Sequence, residues 1–268
     1  MKLSVRHQSL YRYDQPARSV VQSHRLTPSR CDGQSVVEWS VEVSDGIKGG
    51  GFRDGAGDWV QGWSVPGPVS EITVSVRGII ETTDLSGVLR GHRESVPPVA
   101  WMQETLATRA DTALNDLAHS VSGEDGLGLA HALAGAVADA IAFRPGVTHA
   151  HTTAAEALAL GEGVCQDHAH ALIALARLRE MPARYVSGYL HAGADGALHE
   201  AAHAWVEIFI EGLGWVGFDP ANRCCPDDRY IRLGAGLDAR EAAPIRGIAR
   251  GNGIESLDVQ VAVEAQQQ

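Results

Sequence analysis

Polar and apolar positions alternate along Ser35-Val36-Val37-Glu38-Trp39-Ser40-Val41-Glu42-Val43, and again along Glu71-Ile72-Thr73-Val74-Ser75-Val76-Arg77-Gly78-Ile79-Ile80. A period of two is the mark of a half-buried strand. Gly49-Gly50-Gly51 and Asp54-Gly55-Ala56-Gly57-Asp58 read as turns between such runs. Residues 1–83 are therefore predicted as β-structure, with short strands and frequent turns in the manner of a small antiparallel sandwich. The pattern changes at Val96-Pro97-Pro98. From about residue 99 to 143, Ala and Leu recur at helical spacing, as in Leu129, Leu133, Val137 and Ile141, broken by Ser122-Gly123-Glu124-Asp125-Gly126. Thr153–Leu160 predicts a short Thr-capped helix, and a longer one opens at Cys165 and runs to about Glu180 before Pro182. Tyr185–Leu190, Ala204–Ile210 and Trp215–Phe218 predict three strands. Leu257–Glu264 alternates once more, and Gln266-Gln267-Gln268 reads as a frayed end.

Composition and charge narrow the function classes. The chain has 268 residues with 22 basic and 33 acidic side chains, a formal charge of −11. Nucleic acid and anionic membranes need a positive field, so neither is expected as a partner. Of the basic residues only Lys2 and Lys48 are lysines, a bias with no evident physical cause. The four cysteines, Cys31, Cys165, Cys224 and Cys225, are too few for a disulfide scaffold. The stretch MKLSVRHQSLYRYDQP lacks the apolar core of a secretory signal, and no apolar run approaches the ~20 residues of a membrane helix. A cytoplasmic, reducing location is the expectation, with free thiols.

Cys165 follows Gly161-Glu162-Gly163-Val164 and opens a helix whose buried face reads as Ala169, Leu172, Ile173 and Ala176. A helix N-terminus favours a thiolate and offers N–H donors to an oxyanion. The plain reading is a small core residue. A nucleophile needs a base, and the base needs an orienting group. His203 begins an apolar strand, and Asp219 closes the next one just before Pro220. A hairpin turning at Glu211-Gly212-Leu213-Gly214 places residue 203 near 219–222, the pairing a His–Asp hydrogen bond requires. Singly, a His at a strand start and an Asp at a strand end are both common.

Taken in order, Gly-Val-Cys-Gln-Asp-His-Ala-His (163–170), Pro-Ala-Arg-Tyr-Val-Ser-Gly-Tyr (182–189), His-Ala-Trp-Val-Glu (203–207) and Gly-Trp-Val-Gly-Phe-Asp-Pro-Ala-Asn (214–222) resemble the transglutaminase-like superfamily in its bacterial, cysteine-protease-like form. His7-x3-Tyr11-x-Tyr13-Asp14-x-Pro16 and Arg25-Leu26-x-Pro28 are similar to the β-rich region that precedes the core in that branch. The resemblance implies an α+β fold. An antiparallel β-sandwich-like domain at 1–95 precedes a papain-like, transglutaminase-like core at 96–268, with helices packed on an antiparallel sheet. The strand near 256–264 could return to the N-terminal sheet. It further implies Cys165 as nucleophile, His203 as general base and acid, and Asp219 as orienting carboxylate. Gln166, Trp205 and Tyr189 are expected to line the substrate or oxyanion region, with Asp167 and His170 in support. The implied chemistry is hydrolysis or acyl transfer on peptide, isopeptide or glutamine amides through a thioester, with a peptide or protein substrate and no cofactor. The alternative is a non-catalytic protein- or peptide-binding module on the same fold.

The chain departs from the family pattern in places. The family's Asp-Pro-Thr-Asn is Asp-Pro-Ala-Asn here, its His after that block falls near Tyr230, and its Asp-Tyr pair falls near Leu237-Asp238-Ala239. Eukaryotic members use a Trp upstream of the cysteine as oxyanion donor. No Trp lies between Trp101 and Cys165, which leaves the N–H of Cys165 as the expected first donor. A metal site is not expected. His149-x-His151, His168-x-His170 and Cys224-Cys225 lack the usual ligand spacings, and rings two apart on a helix diverge. Cys224 and Cys225 read as a pair of loop thiols, because a vicinal disulfide is strained.

Overall fold

Inward-facing positions of the first strand, β1 (Lys2–His24), are Leu3, Val5, His7, Ser9, Tyr11 and Tyr13, all buried, while the alternate residues face out. The computed structural model describes residues 1–191 and 202–266; the expected fraying of Gln267 and Gln268 lies outside them. β1 pairs antiparallel with β4 (Trp59–Thr82) along nearly its whole length, with register irregularities between Arg12 and Ser19. β2 (Gln34–Val43) and β3 (Ile47–Arg53) pair with β4 on its far side. Gly49-Gly50-Gly51 lies inside β3 rather than in a turn. Pairing with β4, irregular between Lys48 and Gly51, overrides the poor strand propensity of glycine.

The helical half follows. A 3-10 turn at Pro98–Met102 leads to α1 (Thr112–Ser120) and α2 (Gly126–Ala140), each started by an Asp side chain that accepts from the third helical N–H. Two-residue strands β5 (Ala142–Phe143) and β6 (Glu162–Gly163) pair in parallel across α3 (Ala154–Leu160). Thr153 and Glu156 form a reciprocal capping box at the start of α3. Next comes α4 (Cys165–Leu178), then β7 (Ala183–Leu190), β8 (Ala202–Ile210), β9 (Gly214–Phe218) and β10 (Tyr230–Gly236), an antiparallel sheet in the order β10-β7-β8-β9. α4 packs against this sheet and against α1, α2 and α3. It is buried on every side from Asp167 to Arg177, not along one stripe as its sequence predicts. Leu172, Ile173 and Leu175 are fully buried, each worth about 1.5–3 kcal/mol. The cysteine helix is thus enclosed from Asp167 to Arg177.

The chain ends by returning to the first sheet. β11 (Ile245–Arg250) and β12 (Glu255–Ala265) both pair antiparallel with β1, and the Gln266 N–H donates to the Lys2 carbonyl. Among the described residues this sheet has six strands. Its inner face is completed by the other sheet, because Tyr189, Ile231 and Leu233 join Leu3, Val5, Ile72, Val74 and Ile80 in one apolar cluster. No helix among the described residues is long and apolar enough to cross a membrane.

Candidate active site

The local sequence around Cys165 builds an open helix end. Val164 occupies the N-cap and carries no side-chain acceptor. The N–H groups of Cys165 and Gln166 in the first helical turn have no partner within the helix. The Val164 N–H instead donates to Oδ2 of Asp167 at 2.7 Å, and the Thr148 hydroxyl donates to the same oxygen at 2.6 Å. A Cβ at Gly163 would come within 2.7 Å of that carboxylate, so this glycine makes room for Asp167. The close approach serves the loop's own brace, with Asp167 holding the segment just before Cys165.

His203 and Asp219 meet where β8 begins and β9 ends. Val206 lies opposite Phe218 in the hairpin register. His203 Nε2 is 2.6 Å from Asp219 Oδ2, and both residues are buried. The His203 ring also hydrogen-bonds the Cys165 side chain, and with Nε2 on Asp219 the nitrogen left for sulfur is Nδ1. Burial pushes the imidazole pKa down. Hydrogen bonds and charge from Asp219 and Cys165 outweigh it and hold the pKa at about 10. Burial likewise raises Asp219, but its hydrogen bonds and the His203 charge leave it below the ordinary carboxylate value.

Two residues absent from the predicted site complete it. The Asn222 amide donates to Asp219 Oδ2 at 2.7 Å and lies 3.2 Å from His203 Nε2, while its backbone N–H donates to Oδ1 at 3.1 Å. The Tyr230 hydroxyl donates to Oδ2 at 2.8 Å. Asn222 was within reach of the hairpin register, which covered 219–222. Tyr230 comes from a later strand, and no local spacing announces it.

Two family models match the chain. The transglutaminase-like superfamily core covers residues 115–220, and the bacterial transglutaminase-like N-terminal region covers residues 3–81. An uncharacterised protein of Mycobacterium leprae is 30% identical over 98% of both chains. The chain belongs to the transglutaminase-like superfamily. An uncharacterised Mycobacterium bovis protein is 39% identical over 45% of this chain and 42% of its own. A crystal structure of a candidate cysteine protease from Cytophaga hutchinsonii shares the fold with a TM-score of 0.73, covering 100% of this chain and 92% of that one at 22% identity.

Within the transglutaminase-like core the other predicted residues separate. Gln166 is half-buried beside Cys165, and its amide donates to the Ala150 carbonyl at 3.3 Å, tying down the neighbouring loop. His170 is buried about one and a half turns along the helix from the cysteine. Its Nε2 accepts the Ala239 N–H at 3.1 Å, and burial lowers its pKa to about 4, so it stays neutral. Trp205 packs against His203. It is 3% exposed, its ring stacked beside His203 at 6.5 Å and 26° and edge-on to Tyr230 at 5.5 Å. It backs the histidine from within, across Gly188, where a Cβ would come within 2.5 Å of the indole. Tyr189 is buried away from His203. Strand alternation turns it toward the first sheet, where its hydroxyl meets His7 Nδ1 at 2.7 Å and its ring packs near Trp39. The family's His7 therefore belongs to the seam between the sheets.

All four cysteines are free. Burial raises the thiol pKa of Cys31, Cys224 and Cys225. Among the described residues no group of three or more His, Cys, Asp or Glu side chains is arranged to hold a metal ion. His168 instead faces the Val164 and Ile141 carbonyls, at 2.9 and 2.8 Å.

Proposed function

We propose that the protein is a cysteine-dependent hydrolase or acyl transferase acting on peptide, isopeptide or glutamine side-chain amides. The observation that carries this reading is the junction of three elements. Cys165 sits on an uncapped helix end, hydrogen-bonded to a histidine whose other nitrogen is 2.6 Å from a buried carboxylate. His203 Nδ1 takes the thiol proton, and the thiolate attacks the amide carbon. The oxyanion accepts the Cys165 N–H, a contribution of about 3 kcal/mol for a well-placed donor. His203 then returns the proton to the departing amine or ammonia, leaving a thioester on Cys165. Water activated by His203 hydrolyses it; a primary amine in place of water gives transamidation. Asp219 holds Nε2–H throughout and stabilises the imidazolium.

Hydrolysis is favoured over cross-linking, in keeping with the bacterial, cysteine-protease-like form that the motifs around Cys165, His203 and Asp219 resemble. Four free thiols fit a reducing, cytoplasmic setting, and the net charge of −11 fits a peptide or protein substrate rather than nucleic acid or a membrane surface. Incubation with a peptide library and a labelled primary amine tests the reading. Cleaved, deamidated or amine-tagged peptides are expected from the protein and not from Cys165→Ala of equal thermal stability. Equal turnover by that variant, or no product with either, would overturn it in favour of a binding module.

A further inference from the structure

Asp219 Oδ2 receives three donors. His203 Nε2 stands at 2.6 Å, the Asn222 amide at 2.7 Å and the Tyr230 hydroxyl at 2.8 Å. Asn222 follows the aspartate by three residues and is a local brace. Tyr230 is different, because it comes from β10 at the far edge of the sheet. Its phenol is buried and its pKa is pushed far up by burial and by the Asp219 charge, so it remains a neutral donor. The phenol proton points to the carboxylate, which leaves the phenol oxygen to accept from the Cys224 thiol at 3.3 Å. The ring is fixed edge-on to Trp205, which itself stacks beside His203. One strand side chain thus contacts the carboxylate and, through Trp205, supports the imidazole.

Charge sharing gives this geometry a chemical consequence. A carboxylate oxygen that accepts a phenol O–H has less negative charge to offer the imidazolium N–H. We propose that Tyr230 is a positioning residue that fixes the rotamer of Asp219 and tempers its hold on His203, setting the pH at which the imidazolium gives up its proton. This rests on the proposed Cys165–His203 chemistry and adds a residue to it.

The two claims separate in one experiment. Alkylation of Cys165 by iodoacetamide is followed against pH by peptide mapping, so no natural substrate is needed. The wild type is expected to show two steps, a lower one where the thiolate–imidazolium pair forms and an upper one where the imidazolium deprotonates. Tyr230→Phe keeps the ring packing and removes the donor. Its upper step is expected to move to higher pH by about half a unit, a threefold change in that equilibrium. Cys224→Ala, which touches the phenol but not the carboxylate, is expected to leave both steps in place. A Tyr230→Phe profile that superimposes on the wild type, or that loses amplitude with unmoved steps, would overturn the positioning role and leave the proposed function standing. A wild-type profile with one step near that of an ordinary thiol would overturn the Cys165–His203 pair itself.

Discussion

Arg232 and Asp58 are 174 residues apart in sequence and 2.6 Å apart in space, with both side chains buried. Arg232 also donates to Ser29 and to Glu207, and Glu207 accepts from Arg184, whose guanidinium stacks 4.0 Å over the Trp215 ring. Arg232 shares β10 with Tyr230, two residues away and so on the same face. The strand that contacts Asp219 is thereby anchored in the N-terminal half of the chain.

Breaking this anchor is expected to be costly. Arg232→Met leaves Asp58 buried without its cation and removes one of two arginines from Glu207. Loss of one partner of a buried pair typically costs about 3–5 kcal/mol. Thermal unfolding is expected to fall by about 10 °C for a chain of this size. Arg232→Met combined with Asp58→Leu, which removes the stranded charge, is expected to regain part of the loss. A single variant as stable as the wild type would show that the network carries no stability.

Thiol reactivity is expected to single out one cysteine. Burial keeps Cys31, Cys224 and Cys225 protonated, whereas Cys165 faces an imidazole at a helix N-terminus. With limiting iodoacetamide at pH 6, peptide mapping should find Cys165 modified at least tenfold faster than the others. Preferential labelling of any other cysteine would contradict this. His203→Ala should abolish the difference.

The hairpin that joins His203 to Asp219 was legible because it is local. Counting back from the turn at 211–214 sets the register, and a Pro after Asp219 marks where the strand must stop. The cysteine helix was legible from its glycines and its apolar run, although its burial on all sides was not, since that depends on three other helices. Most non-local relations left no trace at short range. Tyr189 alternates correctly within its strand, but only the second sheet tells which face meets the cleft. Tyr230 reaches Asp219 through sheet order, with β10 beside β7 and not beside β9. The return of the alternating run near 256–264 to the N-terminal sheet was expected and is seen as β12 on β1, whereas the pairing of Ile245–Arg250 with Ser19–His24 had no such signal.

The brace behind Cys165 is expected to matter for stability first. Asp167→Ala leaves the Val164 N–H and the Thr148 hydroxyl without their acceptor in a partly buried setting. About 1–3 kcal/mol should be lost, with Asp167→Asn losing less because it keeps an accepting oxygen. Chemical denaturation reads this directly. An Ala variant with unchanged midpoint would show that the carboxylate is dispensable to the loop.

Stability is expected to peak near neutral pH, with different histidines on each side. Burial lowers the pKa of His7, His24 and His170 to about 4 each, below the ordinary 6.5. Below pH 6.5 the unfolded chain takes up protons that the folded protein refuses, so stability falls as pH drops toward 4, by up to about 3 kcal/mol per group. His203 works in the opposite sense. Its folded pKa is raised to about 10, so its contribution is complete below 6.5 and is lost as pH rises toward 10. Denaturant midpoints from pH 4 to 10 should therefore form a dome. His7→Gln, which keeps a neutral polar side chain against Tyr189, should flatten the acid side and leave the alkaline side alone. His203→Asn should flatten the alkaline side and leave the acid side alone. A dome unchanged by either substitution would remove the histidines as its cause.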